Sequence, residues 1–155
     1  MNDTLLKEML KRSKVIAMVG VSAIKEKEDS KNIVRRPSTI VMKYMQEFGY
    51  EVIPVNPFSV GKKIYGQNVV EKLEDIKKKI DIVNIFRPSI ETPEIAKQTV
   101  KIGAGAIWLQ FGIDHPVTKK IAQESNIEYV ANKCIKQEYQ KLFLKSNPVF
   151  PVLKN

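Results

Sequence analysis

A single cysteine, a single histidine and a single tryptophan occur in 155 residues, and the first two scarcities each remove a class of chemistry. One cysteine permits neither an intrachain disulfide framework nor a cysteine metal cluster. One histidine beside one cysteine cannot assemble a His/Asp/Ser or metal constellation. Apolar runs stop at strand length, far short of the roughly 18 residues that a membrane-spanning helix needs. Residues 1–13 lack the apolar core and small-residue cleavage site of a signal peptide. Acidic residues are outnumbered, 17 Asp and Glu against 26 Lys and Arg, for a net charge of +9. These features predict a cytoplasmic protein without membrane contact, whose partners carry negative charge.

The length suits one ordinary domain with a sizeable core, expected over 1–145, followed by a proline-containing tail over 146–155. Leu5, Leu6, Met9 and Leu10 fall at helical spacing, so the N-terminal segment reads as an amphipathic helix on that domain. Nucleic acid is the obvious anionic rival. It is disfavoured because the basic residues are scattered along the chain and no nucleic-acid motif accompanies them. The run Lys77-Lys78-Lys79 reads as the solvated end of a helix.

Runs rich in Ile and Val cover Val15 to Val19, Glu51 to Val55, Asp81 to Phe86, Ala106 to Leu109 and Glu128 to Val130. Most lack polar alternation, as strands buried on both faces of a parallel sheet do. Helices are expected between them, over Ser38 to Phe48, Val69 to Lys79, Thr92 to Ile102, Pro116 to Ser125 and Ile135 to Phe143. Gly49 and Gly103 sit just past helix ends, and Pro93 falls at a first helical turn. The βαβα alternation predicts a Rossmann-like, doubly wound parallel sheet of about five strands with helices on both faces. In such folds ligands bind outside the carboxyl ends of the strands.

The residues at those ends form the candidate site. Gly20-Val21-Ser22 follows the first strand, a turn at which glycine lets the backbone approach a phosphate and a serine hydroxyl can donate to it. The next loop, Ala23 to Arg36, is long and basic, with Lys25, Lys27, Lys31, Arg35 and Arg36 suited to several phosphates. Asn56-Pro57 follows the second strand, where a dinucleotide-binding domain carries an acid for the ribose. The G-x-G-x-x-G fingerprint is also missing, which disfavours NAD. Phe86-Arg87-Pro88 ends the third strand and Gln110-Phe111-Gly112 the fourth. The arginine suits a phosphate or a helix carbonyl, and the phenylalanine an adenine slot or the core. Asp114 reads as a helix cap, with His115 exposed in the first turn.

In this order, Val19-Gly20-Val21-Ser22, Arg36-Pro37-Ser38, Gly49-Tyr50-Glu51-Val52-Ile53-Pro54-Val55-Asn56-Pro57, Asp81-Ile82-Val83, Phe86-Arg87 and Ile107-Trp108-Leu109-Gln110-Phe111-Gly112 resemble one family. The chain is similar to the stand-alone CoA-binding domain proteins, relatives of the CoA-binding domain of the succinyl-CoA synthetase alpha subunit. The resemblance runs from about Lys14 to Leu142 and includes Asn132-Lys133-Cys134-Ile135-Lys136-Gln137-Glu138, where the family commonly has Cys-Pro-Lys. Ile135 departs from that proline, and the loop from Ala23 to Arg35 is longer than usual.

The resemblance implies a Rossmann-like fold that binds coenzyme A with its diphosphate over the first turn, a phosphate-binding loop. Gly20, Val21 and Ser22 would face the phosphates, with Ser38 at the next helix start and Arg36 beside it as a candidate ligand contact. Asn56 and Pro57 would border the adenosine side, and Phe86 and Arg87 would close the crevice. A ligase of this kinship would need a nucleotide-activating domain and a phosphorylated histidine, for which the chain is expected to have no room. The expectation is therefore a binding module for coenzyme A or acyl-CoA, not an enzyme, with a protein partner open. Two alternatives stand beside it: an enzyme acting on a CoA thioester or using a nicotinamide nucleotide, and a basic RNA-associated protein. Cys134 reads either as a buried, inert residue or as a helix-start thiol able to exchange with the thiol of CoA.

Overall fold

The computed structural model describes residues 1–22 and 37–144. Over those residues the order is α1 (Asp3–Arg12), β1 (Val15–Val19), α2 (Pro37–Glu47), β2 (Glu51–Val55), β3 (Lys63–Ile64), β4 (Gln67–Asn68), β5 (Ile82–Ile85), α3 (Thr92–Lys101), β6 (Ala106–Leu109), α4 (Pro116–Glu124), β7 (Glu128–Val130) and α5 (Ile135–Tyr139). A π-helical turn over Gln140–Leu144 continues α5. The long basic loop and the tail discussed above, Arg36 included, lie outside the described residues.

All five expected strands form, and they pair in parallel in the order β2-β1-β5-β6-β7. Their side chains alternate between two cores. Ile16, Met18, Ile82, Ala106 and Trp108 face α1, α2 and α5, which bring Leu6, Met9, Leu10, Val41, Met42, Met45 and Ile135 against them. Ala17, Val83, Ile85, Ile107 and Leu109 face α3 and α4 through Ile95, Ala96 and Ala122. The fold is thus the doubly wound, Rossmann-like sheet that the run pattern predicts. The amphipathic N-terminal helix is α1, where Leu6, Met9 and Leu10 are buried while Leu5 stays 47% exposed. Each of the three buried side chains contributes about 1.5–3 kcal/mol to docking that helix. Among the described residues no helix is long and apolar enough to cross a membrane.

Trp108 is fully buried at the centre of the first core, where its Nε1 donates to the Lys133 carbonyl at 2.8 Å. That bond satisfies the indole and ties the segment entering α5 to the sheet.

The helix expected over Val69 to Lys79 does not form. Val70 instead bridges to Val55: the Asn56 N–H donates to the Val70 carbonyl at 2.9 Å, and the Val70 N–H to the Pro54 carbonyl at 3.0 Å. The physical reason is that β2 is an edge strand whose outer backbone groups need partners, which a helix at that place would leave unmade. Only Leu73–Asp75 turns, as a short 3₁₀ helix. Lys77, Lys78 and Lys79 are exposed, but at no helix end; Lys78 pairs with Glu51 at 2.7 Å and Lys79 donates to the Gly103 carbonyl at 3.3 Å.

Candidate functional site

Strand order reverses between β1 and β5, so the crevice of this fold opens where Gly20 and Phe86-Arg87 leave the sheet. Gly20 has φ +96°, and its N–H donates to the Val55 carbonyl at 2.9 Å. A Cβ there would lie 2.8 Å from the Phe86 carbonyl oxygen and 2.8 Å from Cδ of Arg87. Glycine is therefore required twice, by the left-handed backbone and by the close packing of the two strand tips.

Val21 is fully buried, so it brings backbone alone to the crevice. Its carbonyl accepts from Nδ2 of Asn56 at 2.9 Å, while Oδ1 of Asn56 accepts from the Phe58 N–H at 2.9 Å. Asn56 thus ties the turn after β1 to the loop after β2 with both ends of its amide. The backbone N–H groups of Val21 and Ser22 have no hydrogen-bond partner among the described residues. Successive backbone donors of this kind are what an anion-binding turn requires.

On the α3 side of the sheet lies a cavity of about 290 Å³. Val19, Val55, Leu73 and Ile95 make its apolar floor, and Gly20, Asn56, Pro57, Phe58, Glu71, Lys72, Arg87, Glu91 and Gln98 complete its walls. An apolar floor under a few convergent polar groups is the usual build of a ligand pocket. Arg87 is held by a fork, with Nε 2.9 Å and Nη2 2.8 Å from the two carboxylate oxygens of Glu91. That hydrogen-bonded pairing keeps the arginine charged beyond its ordinary range and lowers the Glu91 carboxyl below its own. Both side chains are more than 40% exposed, so the pair contributes no more than about 1 kcal/mol and can be broken by an incoming anion.

A second cavity, of about 420 Å³, lies on the α2 and α5 side. Pro37, Val41, Phe86, Gln110, Phe111, Ile113, Cys134 and Gln137 line it. Phe86 and Arg87 are adjacent in the chain and line one cavity each. Cys134 is half-buried at the N-cap of α5, where its side chain makes no capping bond; it lines this cavity and is not enclosed in the core. Ser38 is buried at the second residue of α2, next to Pro37. Ser22 is half-buried after the turn and lines neither cavity. Gly20, Asn56, Pro57 and Arg87 therefore gather in the first cavity and Phe86 in the second. Glu91, Phe58 and Gln98 are wall residues that the sequence reading did not single out; the Arg87/Glu91 spacing of four was the available signal for the first.

The cap of α4 differs from expectation. His115, not Asp114, occupies the N-cap, with Nδ1 accepting from the Val117 N–H at 3.1 Å. Asp114 Oδ1 accepts from the His115 N–H at 2.8 Å and from the Tyr129 hydroxyl at 2.6 Å. Burial, and then that carboxylate, raise the Tyr129 pKa. Among the described residues no three His, Cys, Asp or Glu side chains gather as a metal site. Asn84, two residues inward from Phe86 on β5, is fully buried, and neither end of its amide has a hydrogen-bond partner among the described residues.

Comparison with known proteins agrees with this architecture. The CoA binding domain family matches residues 14–140. YneT of Bacillus subtilis (strain 168) is 37% identical over 131 residues, covering 84% of this chain and 89% of YneT. The solved structure of cell-free ID.343 from Thermus thermophilus superimposes with a TM-score of 0.81 at 36% identity, over 92% of this chain and all of that one. A hypothetical protein from Pyrococcus horikoshii OT3 superimposes with a TM-score of 0.78 at 34% identity, over 92% of each chain. The resemblance carried by the ordered strand-end motifs is thereby borne out, and the chain belongs to the CoA binding domain family.

Proposed function

We propose that this protein binds coenzyme A or an acyl-CoA without turning it over, with the diphosphate resting on the Gly20-Val21-Ser22 turn. The observation that carries this reading is the pair of N–H groups on Val21 and Ser22 that no described residue meets, at the switch in strand order, with the Arg87 side chain packed beside Gly20. Membership of the CoA binding domain family supplies the ligand class. In this arrangement the adenosine half occupies the α3-side cavity, bordered by Asn56 and Pro57. Arg87 leaves Glu91 for a phosphate, an exchange of one charge-assisted fork for another. Phe86 and the buried Ser38 flank the path toward the α2 side. The natural setting of such a module is the cytoplasm, where it can hold or deliver the coenzyme to a protein partner.

Isothermal titration at one fixed salt concentration, with CoA, acetyl-CoA, ADP and NAD, tests the reading. The expected result is one-to-one binding that prefers the CoA ligands. Replacing Ser22 and Arg87 together by alanine should weaken CoA by at least tenfold, the value of one charge-assisted hydrogen bond. Unchanged affinity in that double variant refutes the placement. Thiol release on incubation with acyl-CoAs would show turnover and overturn the non-catalytic part.

A further inference from the structure

The α2-side cavity holds an unspent donor. Gln110 follows β6 and is 95% buried, with 5% of its surface exposed. Its Oε1 accepts from the Ile135 backbone N–H at 3.1 Å. Only the oxygen of an amide can accept that bond, so Nε2 is fixed as the other end. That nitrogen donates to no described residue, while Gln110 itself lines the cavity. An amide donor that no described residue meets, on a residue at a cavity wall, is available to an acceptor from outside the chain. Apart from the Gln137 amide, the rest of the wall is largely apolar: Val41, Phe86, Phe111, Ile113 and the Cys134 thiol.

Building on the coenzyme reading above, we infer that this cavity recognises the acyl end of a CoA thioester, with Gln110 Nε2 donating to the thioester carbonyl. Three features converge on this. Phe86 lines this cavity and its chain neighbour Arg87 lines the α3-side pocket, so a long ligand laid across the β5 tip would reach both. Its volume of about 420 Å³ holds roughly a dozen groups of water size at about 30 Å³ each, enough for the thiol end of the coenzyme and a short acyl chain. Its chemistry, the Gln110 and Gln137 amides set in an otherwise largely apolar wall, suits a carbonyl flanked by methylenes. Free CoA offers a thiol there, a much weaker acceptor than a carbonyl oxygen. Gln110 is thus a specificity-determining residue that favours acyl-CoA over CoA.

The test combines two readouts on the full chain. In titrations, acetyl-CoA and butyryl-CoA should bind about threefold to tenfold more tightly than CoA, the value of one neutral hydrogen bond. Gln110→Glu keeps the oxygen that serves Ile135 and removes the donor, so it should weaken the acyl esters more than CoA and abolish that preference. Cys134, the chain's one cysteine, reports occupancy by its rate of alkylation with iodoacetamide: saturating acetyl-CoA should slow it, and ADP should not. Equal affinity for CoA and its acyl esters overturns the inference, as does equal weakening of both by Gln110→Glu or alkylation indifferent to acetyl-CoA. Should Gln110→Glu fail to fold, the alkylation and the wild-type preference still decide. A protein that binds none of these coenzymes instead refutes the coenzyme reading itself.

Discussion

Gly20→Ala is the sharpest probe of the crevice, because two separable costs meet at that residue. The backbone has φ +96°, where an L side chain costs about 1–2 kcal/mol. The added methyl would also stand 2.8 Å from the Phe86 carbonyl oxygen, a fixed backbone atom, and such overpacking costs about 1–3 kcal/mol. Gly61→Ala isolates the first cost, since Gly61 has φ +89° and nothing within 4 Å of its Cβ position. At about 2–4 °C per kcal/mol for a chain of this size, the control should lower Tm by about 2–8 °C. Gly20→Ala should lower it by a further 2–12 °C or so. Scanning calorimetry on both variants gives the difference directly. In an Arg87→Ala background the extra loss should shrink without vanishing, because the Cδ contact is gone but the carbonyl stays. Equal melting temperatures for the two glycine variants would refute the close approach of the β1 and β5 tips.

Two further outcomes follow from buried polar groups. Asn84→Leu preserves the branching and the number of side-chain heavy atoms while removing two unpaired polar atoms. Relief of an unmet buried group, about 1–3 kcal/mol, should outweigh any crowding and raise the urea midpoint; a lower midpoint would show that the amide is hydrogen-bonded in solution. Tyr50 is 8% exposed and donates its hydroxyl to the Leu10 carbonyl, and burial raises its pKa above the ordinary tyrosine value. The folded state therefore keeps a proton that the unfolded chain loses near pH 10, so stability is full below that pH and falls above it by up to about 1.4 kcal/mol per unit. Urea midpoints across the alkaline range should fall less steeply for Tyr50→Phe than for the wild type, and identical slopes would sink the assignment.

The strands were legible because most are short runs rich in Ile and Val without polar alternation, the pattern that burial on both faces produces. Local signals failed where a distant edge decided the outcome. Val69, Leu73, Ile76 and Ile80 have helical spacing, yet Val69, Leu73 and Ile80 are buried in a segment that follows the edge of β2. The hairpin of β3 and β4 also escaped notice. Its turn places Tyr65 at φ +46° and Gly66 at φ +83°, a primed turn made with tyrosine where asparagine or aspartate is the usual signal. At the site, Gly20, Asn56 and Arg87 were readable as strand-end residues. The double tie made by Asn56 and the fork from Glu91 were not, since each depends on which loops meet across the crevice. The α2-side cavity was least visible of all, because Val41, Phe86, Gln110 and Cys134 come together only once four elements pack.

Side chains on a strand point alternately to opposite faces, and the tip of β5 uses that rule to serve both halves of the crevice. Deleting or inserting a single residue between Ile82 and Phe86 would exchange the aromatic ring and the guanidinium between the two chambers, putting a cation among apolar walls and a ring beside Glu91. The parity of this strand is thus fixed by what its two faces must hold.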